Sequence, residues 1–354
     1  MTQTLSERPL RRDGSRHHPG RLDGRHPRIV ALGGGTGLPV LLRGLKAALF
    51  PPAWTWVPER DRECVTAVVT AADDGRSSGC LRQEVLPPGD LRHCLLALSD
   101  GDPTMAALFD FEFSGPDEIA GHSLGNLILT ALSQLEDEGF LGALKQGSEL
   151  LRIRGRVLPA TLQPLSIRAE FFDGGSNPDG ESRIASVGRL IHRVVLEPSG
   201  ASLLAEARTA IETANLLVIG PGSLYTNIIP ALLVDDLGEA IARSRARVAL
   251  IMNLMTQPGQ TENYTAVDHV LALRRHAPGI PIHHVVLNTM PIPHSALEAY
   301  AAQGAIPVSS DAELLRALGY RLLERDLLGD GPTIRHDPLK LAYAVLDLDD
   351  EAGA

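Results

Sequence analysis

The sequence is poor in the residues that build several familiar protein classes. Only three of its 354 residues are cysteines, and no two of them form a C-x-x-C pair. The odd count and the spacing argue against a disulfide framework and against a thiolate zinc site, and they fit a reducing compartment. Aromatic residues make up 4% of the chain, so the sequence lacks the stacking platform on which single-stranded nucleic acids bind.

Long apolar runs are also missing. The runs at 216–219 and 248–252 are far shorter than the roughly 20 residues of a membrane-spanning helix, and no signal-peptide core follows the amino terminus. We therefore expect a cytoplasmic protein without a membrane span. The sequence also has no H-E-x-x-H pair, so it indicates binding more clearly than turnover.

The formal net charge of −10 is unevenly spread, because the amino-terminal segment is rich in arginine. The sequence predicts a disordered basic arm over 1–27, a single domain over 28–348 and a frayed tail over 349–354. An acidic body without a basic stripe is not typical of nucleic-acid binders, so no nucleic-acid partner is expected. The oligomeric state stays open, and a homo-oligomer is one of the options.

Strand-like and helix-like patterns alternate along the body. Apolar, β-branched runs such as 28–32, 64–70 and 216–219 are each followed by a polar loop and a helical stretch. Such runs are typical of strands buried on both faces of a parallel sheet, and the alternation indicates crossover units. The sequence therefore predicts an α/β fold with a doubly wound, mostly parallel Rossmann-like sheet. A small β-rich insertion is expected over about 156–198.

The first candidate binding loop comprises Gly33, Gly34, Gly35, Thr36 and Gly37, directly after a strand and before a helix. Glycines let the backbone approach a ligand closely, and a helix start offers unpaired N–H groups with a partial positive charge. The loop is therefore predicted to bind phosphate. It lacks the last glycine of the dinucleotide fingerprint. The alternative is a tight turn without a ligand.

An acidic pair, Asp73 and Asp74, stands at the end of the second strand, and Ser77 and Ser78 follow it. Acidic residues at such strand tips commonly bind a ribose hydroxyl. The pair could equally hold a divalent cation such as magnesium, with Asp74 the candidate ligand, or act as a base. The two serines are predicted to add hydroxyl contacts.

Two further polar loops open predicted helices. Asp90 follows the rigid turn 87–89, and Asn126 lies in the glycine-containing run 121–126. Asp90 is either a helix cap or a ligand contact, and Asn126 is either structural or an amide for a base or sugar.

A second glycine-rich loop spans 220–227 after the strand at 216–219, and a third polar loop spans 255–261. If both glycine loops lie where the strand order reverses, they could face each other across one crevice, one holding a diphosphate and the other a sugar. The predicted ligand contacts of the second loop are Gly222, Ser223, Tyr225 and Asn227.

Six runs together resemble the YvcK-like family of gluconeogenesis factors, which is related to the 2-phospho-lactate transferases (CofD-like proteins). The runs occur in the family's order at 31–38, 70–81, 86–100, 121–129, 220–227 and 255–264. The resemblance implies a CofD-like nucleotide-binding domain in a cytoplasmic protein needed for cell shape and for growth on gluconeogenic carbon sources.

The same resemblance implies a UDP-sugar or a dinucleotide as ligand, no required cofactor, and an envelope-synthesis or metabolic protein as partner. It places Tyr300 and Arg335 near the ligand. The rival implication is a magnesium-dependent transferase that moves a phospho-acyl group from a nucleotide substrate. Three positions depart from the expected pattern, since Arg76, Cys80 and His93 replace a glycine, an arginine and an asparagine. Arg76 could supply the charge missing at Cys80.

Overall fold

The structure, a computed structural model, describes residues 27–50, 62–70, 89–115, 119–177, 184 and 188–350. Ten strands occur in this part of the chain. They are β1 (Ile29–Gly33), β2 (Val65–Val69), β3 (Arg156–Pro159), β4 (Ser166–Phe171), β5 (Ser176–Asn177), β6 (Ile191–Glu197), β7 (Leu216–Ile219), β8 (Arg247–Ile251), β9 (His284–Asn288) and β10 (Arg321–Arg325).

Seven strands form one parallel sheet in the order β10-β9-β8-β7-β1-β2-β3. The chain builds outward from β1 through β2 to β3, and then returns to place β7 on the other side of β1. The strand order therefore reverses between β1 and β7. In open α/β sheets, ligands bind outside the carboxyl ends of the strands at such a point.

Helices cover both faces of this sheet. In chain order they are α1 (Leu38–Leu49), α2 (Gly89–Leu98), α3 (Pro103–Asp110), α4 (Leu124–Leu135), α5 (Gly139–Leu150), α6 (Ala205–Glu212), α7 (Ile229–Leu232), α8 (Leu237–Arg243), α9 (Ala266–His276), α10 (His294–Ala301), α11 (Ala312–Ala317) and α12 (Pro338–Asp350). A π-helical turn, Leu224–Ile228, leads directly into α7.

Alternate side chains of the central strands enter two separate cores, as the period of two in a strand requires. Val30 and Leu32 pack in one core with residues of α6, α8 and α9. Ile29 and Ala31 pack in the other with residues of α1, α2 and α12. Because both cores are apolar, β1, β2 and β7 are buried along their whole length. The predicted doubly wound α/β fold is confirmed.

The β-rich insertion is smaller than the sequence indicated. Strands β4, β5 and β6 form a three-stranded antiparallel sheet in the order β5-β4-β6. Residues 156–159, which were predicted as the start of the insertion, instead pair with β2 as the edge strand β3 of the main sheet. A four-residue strand carries no local signal that tells which sheet it will join.

Polar side chains cap the starts of α3 and α4. The Asp102 side chain accepts a hydrogen bond from the Thr104 N–H at 2.7 Å, and Ser123 accepts one from the Asn126 N–H at 3.2 Å. Both bonds satisfy amides at a helix start that have no partner within the helix. Within the described ranges, none of the helices combines the length and the apolar character needed to cross a bilayer.

Candidate functional site

The two glycine loops lie side by side at the carboxyl ends of β1 and β7. The Gly220 N–H donates to the Leu32 carbonyl at 2.9 Å. A Cβ on Gly37 would lie 2.5 Å from the Pro221 carbonyl oxygen, and one on Gly222 would lie 3.0 Å from that of Gly34. The loops therefore touch through their backbones, and side chains would push them apart. The two loops lie against each other and form one continuous wall, and which part of a ligand each would hold stays a prediction.

A buried carboxylate holds the first glycine loop. Asp90, in the first turn of α2, is 7% exposed, and its Oδ2 accepts hydrogen bonds from the Gly35 N–H at 2.6 Å and from Asn227 Nδ2 at 3.1 Å. A Cβ on Gly34 would lie 2.2 Å from this oxygen. Gly35 has a φ of +65°, and a Cβ there would lie 2.6 Å from Asn227 Oδ1. These contacts alone explain why both positions are glycine.

The Asp90 contact changes the predicted phosphate site. The Gly35 N–H already has an acceptor, so in this arrangement it is not offered to a ligand anion. Helix α1 also begins with fewer donors than a typical phosphate-binding helix, because Pro39 has no N–H and the Val40 N–H donates to the Gly37 carbonyl at 3.0 Å. The part of the loop that remains available for a ligand is its end, at Thr36 and Gly37.

That end of the loop opens into a cavity of about 370 Å³. The predicted site residues that line it come from the first loop, the second loop, α10 and the segment before α12. They are Thr36, Gly37, Gly222, Ser223, Tyr300 and Arg335. The third polar loop adds Met255, Thr256 and Gln257. Five segments far apart in the sequence thus meet around one cavity.

Side-chain amides shape the second loop. Asn253, just beyond β8, donates from Nδ2 to the Gly222 carbonyl at 2.8 Å and accepts from the Gly222 N–H at 3.3 Å. Gln257 Nε2 donates to Ser223 Oγ at 2.8 Å. Asn253 is a site residue that sequence reasoning missed. Its only signal was a polar side chain directly after a buried strand.

Tyr300 positions the segment that carries Arg335. Its hydroxyl accepts a hydrogen bond from the Ile334 N–H at 3.1 Å. The Arg335 carbonyl accepts one from the Gly329 N–H at 2.9 Å, and residues 328 and 336 form an isolated β-bridge. The backbone at 335 is thereby fixed on both sides, while the Arg335 side chain is exposed.

His336 is a second lining residue that sequence reasoning missed. It is 8% exposed, and burial lowers its pKa to about 4, although a hydrogen bond with the Met252 backbone favours the charged ring. The ring is therefore neutral at pH 7 and brings no positive charge to the cavity. Its Nε2 has no hydrogen-bond partner in the part of the chain that the structure describes.

The other predicted site residues do not line this cavity. Asn126 is buried in the first turn of α4. Tyr225 is fully buried, and its hydroxyl lies 2.8 Å from that of Tyr264, so Tyr225 packs in the core rather than on the cavity wall. Gly33, Gly34 and Gly35 are the part of the first loop that does not line the cavity, and Asp90 and Asn227 support that part.

Four predicted residues, Asp73, Asp74, Ser77 and Ser78, lie outside the described residues, as do Arg76 and Cys80. Across the described ranges there is no group of three or more His, Cys, Asp or Glu side chains that could hold a metal ion. The magnesium hypothesis for Asp74 therefore stays a prediction.

Comparison with known proteins places this architecture in a family. The model of the family described as 2-phospho-L-lactate transferase CofD matches residues 29–328. The gluconeogenesis factor of Bacillus subtilis is 42% identical over 328 residues, which cover 92% of this chain and 99% of that protein. The gluconeogenesis factor of Listeria innocua is 41% identical over 324 residues, which cover 90% and 95%.

A solved structure agrees with the fold. The crystal structure of a Bacillus halodurans protein superposes with a TM-score of 0.83 at 40% sequence identity, and the match covers 91% of this chain and 100% of that one. A second crystal structure from Bacillus halodurans, of a member of the UPF0052 family, gives a TM-score of 0.82.

Proposed function

The chain belongs to the CofD family, and we propose that it is a regulatory protein that binds a nucleotide sugar of the UDP-sugar type. Proteins about 40% identical to it carry the name gluconeogenesis factor. In this proposal, ligand occupancy shifts the population of conformations that an envelope-synthesis or metabolic protein in the cytoplasm recognises. The outcome is normal cell shape and growth on gluconeogenic carbon sources.

The observation that carries the proposal is the cavity where the two glycine loops meet. Its volume of about 370 Å³ is within the range of small-molecule sites, about 300–1,000 Å³. Hydroxyls of Thr36 and Ser223 and the guanidinium of Arg335 offer donors for phosphate oxygens, and Gln303 and Thr333 add polar groups suited to a sugar.

The chemistry of the lining favours binding over catalysis. Among the described residues that line the cavity there is no carboxylate, cysteine or lysine, and the one histidine is buried and neutral. A general base needs a titrating group within reach of the substrate, with a pKa near the working pH. Such a group is missing from this part of the wall.

The CofD family model favours a second function, a magnesium-dependent transferase of phospho-acyl groups. In that case Asp73 and Asp74 would hold the magnesium ion through their oxygens. Incubation with a lactyl-diphospho-nucleotide, magnesium and an acceptor alcohol tests it. The acceptor hydroxyl, or water in its absence, would take the phospho-lactyl group as the phosphoanhydride bond breaks, and release of a nucleoside monophosphate is the readout. Sustained turnover that Asp74→Asn abolishes would replace the regulator proposal.

Calorimetric titration with UDP-N-acetylglucosamine tests the favoured function. Loss of the Arg335 contact should weaken binding about ten- to hundred-fold in Arg335→Ala, because a charge-assisted hydrogen bond contributes about 1.5–3 kcal/mol. The matched control is Arg245→Ala. Arg245 is an exposed arginine just before β8, at the amino ends of the strands, whereas the cavity lies at their carboxyl ends. Equal affinities of both variants and the parent protein would contradict this cavity as the site.

Deletion of residues 1–25 is a second control. The described lining lies between residues 36 and 336, so the affinity for UDP-N-acetylglucosamine should stay unchanged. If the deletion abolished binding while Arg335→Ala had no effect, the basic arm would belong to the site and the cavity assignment would be wrong.

A further inference from the structure

Arg43 is a cationic side chain that no part of the proposed function has used. It is exposed on α1, and no hydrogen bond or ion pair joins it to another described residue. Its neighbour Lys46, about one turn further along the helix, differs, because Lys46 Nζ donates to the Ser99 carbonyl at 2.5 Å. Lys46 has a structural partner, and Arg43 has none among the described residues.

The helix geometry places Arg43 beside the cavity. Val40 lines the cavity and precedes Arg43 by three residues, so the two lie on the same face of α1. At the next residue, Gly44, a Cβ would lie 1.8 Å from the Pro338 carbonyl oxygen. Only glycine permits this contact, which brings α1 against the start of α12, three residues after Arg335.

Arg335, like Arg43, is a cationic side chain without a partner among the described residues. It is exposed, lines the cavity, and forms no side-chain hydrogen bond or ion pair with any described residue. Desolvation, followed by the charge of Arg335, lowers the pKa of Arg43, in keeping with two guanidinium groups that lie near each other at the same rim. A guanidinium group is a permanent cation in proteins, so each of these arginines can pair with an anion.

Two guanidinium groups at one rim, neither of them paired with another described residue, repel each other, and an anion between them would relieve this repulsion. Phosphate oxygens accept the paired N–H groups of arginine in bidentate geometry, so a phosphate is the anion that fits best. The first glycine loop does not offer its full set of N–H groups to a phosphate, because the Gly35 N–H already donates to Asp90.

We propose that Arg43 and Arg335 bind the diphosphate of the ligand between them at the cavity rim, so that the site selects ligands with at least two negative charges. This inference rests on the proposed function for the identity of the nucleotide part. The diphosphate chemistry itself stands on the two arginines.

The test compares Arg43→Gln with the parent protein in calorimetric titrations with UDP-N-acetylglucosamine, uridine and inorganic pyrophosphate. Arg43→Gln should weaken UDP-N-acetylglucosamine and pyrophosphate about ten-fold or more, and leave uridine nearly unchanged. Arg43→Lys keeps a charge but loses the bidentate contact, so it should give an intermediate loss. Arg245→Gln is the matched control, and melting temperatures check that every variant is folded.

The outcomes separate the two proposals. If the parent protein binds UDP-N-acetylglucosamine and Arg43→Gln binds it equally well, the inference is wrong and the proposed function stands. If the parent protein binds pyrophosphate but not UDP-N-acetylglucosamine, and Arg43→Gln loses pyrophosphate, the inference stands and the nucleotide sugar is wrong. If the parent protein binds neither compound, both are wrong.

Discussion

The two glycine loops follow neighbouring strands and read alike in sequence, but different groups hold them. The backbone of the first loop is fixed by a carboxylate, because Asp90 accepts from the Gly35 N–H, and the same oxygen also accepts from the Asn227 side chain at the end of the second loop. The second loop is fixed by neutral amides, because Asn253 bonds both backbone groups of Gly222. The same glycine-rich pattern therefore has two physical supports.

The difference shows which parts of a glycine loop serve the fold and which can serve a ligand. A buried carboxylate is stable only when it is well hydrogen-bonded, so Asp90 requires the Gly35 N–H as a donor. Its place in the first turn of α2 also lets the helix dipole stabilise its charge. In the first loop the Gly35 N–H is therefore used to hold the fold together, whereas Ser223 of the second loop lines the cavity.

Valine substitutions should give the largest difference in stability between the two loops. Gly35→Val places a branched side chain at φ +65°, 2.6 Å from Asn227 Oδ1, so we expect it to lower the free energy of unfolding by about 2–5 kcal/mol and to abolish ligand binding. Gly222→Val meets the Gly34 carbonyl at 3.0 Å without a positive φ, so its cost should be nearer 1–3 kcal/mol.

Urea denaturation and calorimetry measure both effects. Gly279→Val is the matched control, because a Cβ there meets no atom within 4 Å. Equal costs for Gly35→Val and Gly222→Val would show that the first loop is not the more constrained of the two.

The pH dependence of stability gives a second comparison, because the amides that hold the second loop do not titrate, whereas His336 in the same cavity does. Its pKa is about 4 in the folded protein, against an ordinary value of 6.5. Below pH 6.5 the unfolded chain takes up a proton that the folded protein does not. The contribution of the buried neutral ring is therefore fully present above pH 6.5 and is lost as the pH falls towards 4, by about 3 kcal/mol in total.

Urea denaturation between pH 7 and pH 4.5 measures this loss. His336→Gln keeps a donor for the Met252 carbonyl and should flatten the dependence relative to the parent protein. Other histidines whose pKa is lowered by burial, such as the buried His269 and the half-buried His276, contribute to the parent slope, so the difference between the two proteins is the informative quantity. An unchanged slope would contradict the neutral state assigned to His336.

A third pair of variants compares the two supports directly. Asp90→Ala leaves the Gly35 N–H and the Asn227 amide without their charged acceptor, so it should cost about 2–3 kcal/mol of stability. Asn253→Ala removes neutral bonds only and should cost about 1–2 kcal/mol. Chemical denaturation gives both values, and a larger cost for Asn253→Ala would reverse the order of the two supports.

Most strands of the main sheet could be predicted from the sequence, because buried strands and amphipathic helices leave strong periodic patterns. The predicted bounds of β7 are those observed, and the ends of the runs at 28–32, 64–70 and 248–252 differ by one residue from those of β1, β2 and β8. Strand β10 was not predicted, because its alternation of arginine, leucine and glutamate at the sheet edge resembles a surface loop.

The site was harder to predict because it depends on contacts between distant segments. Sequence reasoning named both glycine loops, Tyr300 and Arg335, but it could not see that Asp90 reaches across from α2 to Gly35. Asn253 and His336 were missed for the same reason. Tyr225 was named for its position in the second loop, although the π-helical turn points it into the core. The assignment of the ligand contacts stays a prediction.

The smallest expected effect concerns Tyr300, which supports neither glycine loop but holds the Arg335 segment through the Ile334 N–H. In Tyr300→Phe this amide loses a neutral acceptor worth about 0.5–1.5 kcal/mol, so the affinity for UDP-N-acetylglucosamine should fall about two- to ten-fold. If Tyr300 acts by positioning Arg335, the loss should shrink in an Arg335→Ala background, because the group it positions is gone. Calorimetric titration of the single and double variants measures this coupling. Tyr320→Phe is the matched control, since Tyr320 does not line the cavity. An equal loss from Tyr300→Phe in both backgrounds would show that Tyr300 contacts the ligand independently of Arg335.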